Sequence, residues 1–133
     1  MAYWVIKCYC NANGRDVFDK EYGRQSNDAK SEFRSVLNGL KDQPTIQGWM
    51  RPNGFDRLSG KYRQLGKLIF KARKTKVQHR PIGFFGPGEG EFTLLAWASE
   101  RGDAWDPPNV RDTALARMNE ILKDHTRAHE RDF

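Results

Sequence analysis

Three runs decide how this chain folds: Lys67-Leu68-Ile69-Phe70-Lys71-Ala72-Arg73, then Val77 to Phe85, then Phe92-Thr93-Leu94-Leu95-Ala96-Trp97-Ala98-Ser99. In the first run Leu68, Phe70 and Ala72 share one side, and Ile69, Lys71 and Arg73 share the other. That period of two is the pattern of a half-buried strand. Lys74-Thr75-Lys76 reads as a turn into the second run, whose pattern is interrupted by Pro81 and Gly83. Gly86-Pro87-Gly88-Glu89-Gly90 is a second turn. The third run is the most apolar and belongs deep in a sheet. Short turns between three strands predict an antiparallel meander.

Towards the N-terminus, Tyr3 to Cys10 is rich in β-formers and predicts a first strand, with Asn13-Gly14 as a turn after it. A helical turn is expected around Val17 to Tyr22. Ser26 or Asn27 can cap a helix from about Asp28 to Leu40, where Phe33, Val36, Leu37 and Leu40 fall on one face. Gly39 weakens its end and Pro44 forbids its continuation. Residues 44–66 read as a glycine-rich loop with one short strand, docking through Trp49, Phe55 and Leu58. Beyond the meander, Asp106-Pro107-Pro108 is expected to open a helix with Asp106 as N-cap and an apolar stripe of Val110, Ala114, Leu115, Met118, Ile121 and Leu122. The charged tail, 124–133, is expected to fray. The order predicts a single α+β domain over 1–133, a twisted antiparallel sheet with helices packed on one face.

A chain of 133 residues, 38% hydrophobic and 30% charged, can bury a core without metal or disulfide staples. Its apolar runs are too short for a signal peptide or a membrane span, so a cytoplasmic location and no membrane partner are expected. Cys8 and Cys10 stand two apart, poorly placed to bridge each other, and no further Cys or His pair follows at ligand spacing. They read as ordinary strand thiols, with no metal site and no cofactor expected. The net charge of +6 suits a phosphate backbone, an anionic lipid or an acidic protein, and equally a merely solvated surface.

Placement of the charge narrows this. Between Lys71 and Arg80, six of ten residues are basic or imidazole: Lys71, Arg73, Lys74, Lys76, His79 and Arg80. On two adjacent strands and their turn they would converge, and a concave face lined this way holds a phosphodiester chain. The competing reading is an edge hairpin guarded by charge. No Ser-His-Asp or Cys-His arrangement and no paired carboxylates stand out, and the glycines at 86–90 precede no helix, so they form no nucleotide fingerprint. What remains is chemistry by cations. Metal-free RNA cleavage needs a base for the 2′-OH, cations for the pentavalent phosphorane and an acid for the leaving oxygen. His79 beside Arg80 is a candidate acid or base, or else a structural histidine. Trp105 can stack a base, or staple the following helix.

The run Arg80-Pro81-Ile82-Gly83-Phe84-Phe85, a glycine turn, and Phe92 to Ala98 resembles the core of RelE/HigB-type toxins, particularly the phage-associated HigB-like members. Asp106 to Ala114 with Ala116-Arg117 is similar to the proline-then-helix segment of those members, and the likeness covers about residues 65–120. The resemblance implies a compact α+β domain that cleaves mRNA on the ribosome without metal, and a cognate antitoxin partner. By position it implies that Arg80 stabilises the phosphate, that Lys71, Arg73 and Lys74 form the preceding basic strand, and that Arg101 survives from a terminal basic pair. Glu100 stands in the other place of that pair and puts a negative charge near the phosphate site, and Trp105, His125 and His129 lie where some members carry functional residues. Pro81 removes a ladder donor, which places it at an edge or a bulge.

The expectation is therefore a toxin-like endoribonuclease, with Arg80, His79, Lys71 and Arg73 as catalytic residues and Lys74, Lys76, Arg101 and Trp105 as RNA contacts. The alternatives are a non-catalytic basic binding or inhibitor module, or a gyrase-poisoning toxin, on the same fold.

Overall fold

The computed structural model describes residues 2–133. In chain order the elements are β1 (Val5–Tyr9), α1 (Val17–Gly23), α2 (Asn27–Lys41), α3 (Ile46–Trp49), β2 (Phe55–Arg57), β3 (Gly66–Leu68) and β4 (Phe70–Lys71). Then come β5 (Gln78–His79), β6 (Ile82–Phe85), β7 (Glu91–Ala96), β8 (Ser99–Arg101), β9 (Ala104–Asp106), α4 (Val110–Lys123) and β10 (Ala128–Glu130). The class is mixed α+β.

The meander exists, but it is creased. Each of its three strands breaks at the same level. The first stops at Ile69, whose N–H donates to Gly54 O at 2.8 Å instead of to a neighbour in the meander. The second breaks at Arg80-Pro81 and the third at Trp97-Ala98. Below the crease, β3, β6 and β7 enter a six-stranded sheet of order β10-β1-β7-β6-β3-β2. Above it, β4, β5 and β8 continue into a four-stranded sheet of order β4-β5-β8-β9. Pro81 has no N–H to give, and it sits in the crease, where only its carbonyl is used, accepting from Leu68 N at 2.9 Å. The register against β7 shifts between Ile82 and Gly83. Of the two settings open to Pro81, the irregularity and not the edge is the one found.

Two expectations about the larger sheet are corrected. The larger sheet is mixed, because β1 runs parallel to β7. Helices also cover both of its faces rather than one. The cause is β7, where Phe92, Thr93, Leu94 and Leu95 are all fully buried. A strand that is apolar on both sides needs cover on both sides. Phe92 and Leu94 pack with Phe18, Phe33, Leu37 and Trp49 of α1, α2 and α3. Leu95 packs with Val110, Ala114, Met118 and Ile121 of α4.

Local chemistry fixes the ends. The Ser26 hydroxyl accepts from Ala29 N and caps α2, whose buried residues include Phe33, Leu37 and Leu40. The 44–66 segment carries α3 and β2, with Trp49 and Phe55 wholly buried. Asp106 is not the cap of α4. It pairs with Ser99 as the last residue of β9, and Asn109 occupies the N-cap. The tail is not frayed either: β10 pairs antiparallel with β1, and Phe133 packs edge-on against Tyr22 and Phe33. No helix among the described residues is long and apolar enough to cross a membrane.

Candidate nucleic-acid interface

The four-stranded sheet has two unlike faces. Its register pairs Lys71 with Gln78, Gln78 with Glu100, and Glu100 with Trp105. Residues paired across antiparallel strands point to one side, so these four make a row across the outer face. The alternate row, Phe70, His79, Ser99 and Asp106, faces the other way.

Arg80, two residues after Gln78, joins the outer row. Its Nη2 donates to Gln78 Oε1 at 3.3 Å, and its Nη1 donates to the carbonyls of His79 at 2.7 Å and Phe70 at 3.3 Å. Its Nε lies 3.4 Å from Glu100 Oε1, and the same oxygen takes Lys67 Nζ at 3.0 Å. Burial pulls the Arg80 guanidinium below its ordinary pKa, with Glu100 opposing, and the group stays cationic at neutral pH. Lys67 Nζ also stands 5.2 Å from the centre of the Trp105 ring, and Arg111 lies over both Trp105, at 5.6 Å, and Tyr62, at 4.8 Å. Lys67, Arg80 and Arg111 thus flank one carboxylate and two aromatic rings, with Lys71 at the far end of the row beyond Gln78.

The other expected residues lie elsewhere. His79 is 5% exposed, stacked on Phe70, and its Nδ1 accepts from Trp97 Nε1 at 3.0 Å. The ring proton therefore sits on Nε2, which is buried without a partner. Burial, more than the neighbouring Arg80 charge, lowers the His79 pKa below its ordinary 6.5, although Asp28 opposes the shift. A neutral, buried ring on the far row cannot serve as acid or base for a chain lying on the outer face. Arg101 lines a cavity with His79, Ser99 and Asp106 on that far side. Arg73 is exposed and paired with Glu32 at 3.1 Å. Lys74 and Thr75 donate their backbone N–H groups to Asp28 Oδ2, at 2.8 and 3.2 Å, which docks the turn on the start of α2. Lys76 ends that turn at φ 62°. Only Lys71, Arg80 and Trp105 of the expected set come together. Glu100 lies on this face, as the negative charge expected near the phosphate site, while Lys67, Gln78, Arg111 and Tyr62 complete the face and were not expected. Register brings Gln78 there, and contacts between separate elements bring Lys67, Arg111 and Tyr62, neither of which a local pattern carries.

A second cluster lies at the β10–β1 edge of the larger sheet. Cys10, Asp16 and His129 bring donor atoms within 4.8 Å of one another, so Cys10 does have ligand-type neighbours, across the fold rather than along the chain.

Protein-family models give no match to this chain, and neither do curated proteins.

Proposed function

We propose that the chain binds single-stranded RNA across the outer face of the four-stranded sheet and cleaves it in the manner of a RelE/HigB-type toxin. The reading rests on one observation: the row Lys71, Gln78, Glu100 and Trp105, with Arg80 and Lys67 joined to it through Glu100. Cations at this spacing suit the phosphates, and the Trp105 ring suits a base. In this reading Arg80, Lys67 and Lys71 stabilise the phosphorane. Glu100 replaces His79 as the base, because it is the carboxylate of the outer row. It takes the 2′-OH proton as the 2′ oxygen attacks phosphorus. The bond from phosphorus to the 5′ oxygen breaks, and solvent returns a proton to that oxygen. The ribosome, mRNA and a cognate antitoxin are the partners that go with this reading.

A second reading has its own support. The Arg80 guanidinium is already engaged by Glu100, Gln78 and two carbonyls, which suits a rigid docking face without catalysis. Primer extension on transcripts from cells induced for wild type, Arg80→Ala or Glu100→Gln separates the two. Discrete new 5′ ends with wild type, lost in both variants, are the expected result. Intact transcripts with wild type sink the nuclease and leave a binding module.

A further inference from the structure

The Cys10, Asp16 and His129 cluster is built by three separate stretches of chain, each fixed by its own backbone bonds. Cys10 ends the β1 extension and pairs with Asp16 as an isolated bridge. The turn between them is locked by Asn11, whose side-chain oxygen accepts from Asn13 N at 2.9 Å and Arg15 N at 3.1 Å. Gly14 supplies the positive φ of 77° that this turn needs. From the other side, Cys10 N donates to Arg127 O at 2.8 Å, and β10 sets His129 opposite Cys8. A side chain opposite Cys8 points to the same face as Cys8, and so does Cys10, two residues on. Topology alone therefore aims the thiol and the imidazole at one spot, and the locked turn brings the carboxylate to it.

We propose that Cys10, Asp16 and His129 form a site for one zinc-type divalent transition-metal ion, which staples β10 and the start of α1 to the end of β1. The donor set is one sulfur, one imidazole nitrogen and one carboxylate oxygen, the chemistry that favours zinc or cobalt over magnesium or calcium. Donors bound to tetrahedral zinc lie about 3.5 Å apart. The 4.8 Å envelope closes to that with side-chain adjustment alone, and His129 Nδ1 is already 3.1 Å from Asp16 Oδ1. Cys10 Sγ now donates to Thr126 O at 3.4 Å, a weak contact that a metal–thiolate bond replaces. Asp16 and His129 are roughly half exposed, so the fourth position opens to water. The three residues are remote in sequence from the proposed RNA row, and the proposal is independent of it.

The test uses the full-length, tag-free protein stripped of metal. Cobalt(II) titration should give a thiolate-to-cobalt charge-transfer band that saturates at one ion per chain and is displaced by zinc. Zinc should also raise the melting temperature. Cys10→Ser should abolish the band, and Asp16→Asn and His129→Gln should each weaken binding tenfold or more. The last two change half-exposed side chains, so the result does not hang on Cys10→Ser folding. Absence of a charge-transfer band in the wild type overturns the site. So does a band that survives in Asp16→Asn and His129→Gln at unchanged affinity.

Discussion

Trp105 and His79 sit on opposite faces of the same small sheet, and single substitutions there should read out differently. The Trp105 ring is only partly buried and lies beneath Lys67 and Arg111, on the proposed RNA face. Base stacking on such a ring is worth about 1–3 kcal/mol. Trp105→Ala should therefore bind a single-stranded RNA oligonucleotide about 5- to 150-fold more weakly, by fluorescence anisotropy, while its far-ultraviolet circular dichroism stays that of wild type. His79 should report on stability instead. Folding holds it neutral, with a pKa below the ordinary 6.5, so below that pH the unfolded chain takes up a proton the folded chain refuses. Its contribution is whole above about pH 6.5 and drains away as the pH falls. The urea midpoint should drop between about pH 7 and pH 5, and His79→Gln, whose amide oxygen can still accept from Trp97, should flatten that slope. An unchanged slope in the variant would mean that other groups carry it.

At the scale of elements, β10 carries the clearest departure from the sequence pattern. Ala128-His129-Glu130 has no apolar alternation to betray a strand. It becomes one because the outer edge of β1 offers unpaired backbone, and because Phe133 beyond it finds the Phe18, Tyr22 and Phe33 rings. Removing that ring should cost about 2 kcal/mol. Phe133→Ala should thus shift the urea midpoint clearly downward, and Leu122→Ala, which trims an exposed side chain, should move it little. Where local pattern exists, reading it works: Leu68, Phe70 and Ala72 are buried as their alternation requires, and Ser26 caps α2. The crease was hidden because alternation runs unbroken through Ile69, although the chain there changes sheets. Residue type alone picked out Lys71, Arg80 and Trp105. Gln78 needed the pairing of β5 with β8, a long-range fact, and the five basic side chains and His79 that lie close in sequence were dispersed by strand alternation and by the Asp28-anchored turn.

For the whole molecule, the proposed RNA binding could answer either to the net charge of +6 or to one row of side chains. A diffuse positive field attracts any polyanion, and every lysine then counts alike. A row that neutralises particular phosphates releases a fixed number of counterions, and log K falls with log salt by about 0.7 per phosphate on a single strand. Lys67, Lys71 and Arg80 engaging three phosphates predicts a slope of about −2. Lys71→Ala, exposed at the end of the row, should reduce that slope by about 0.7. Lys76→Ala, on the turn, should leave it where it was. Glu100→Gln should act in the opposite sense on affinity, because removing the carboxylate frees Lys67 and Arg80 for phosphate, so binding should tighten even as any cleavage is lost. Anisotropy titrations of the four proteins across a salt series distinguish the cases. Equal loss of slope in both lysine variants would assign binding to the overall field and take the row of Lys71, Gln78, Glu100 and Trp105 out of the account.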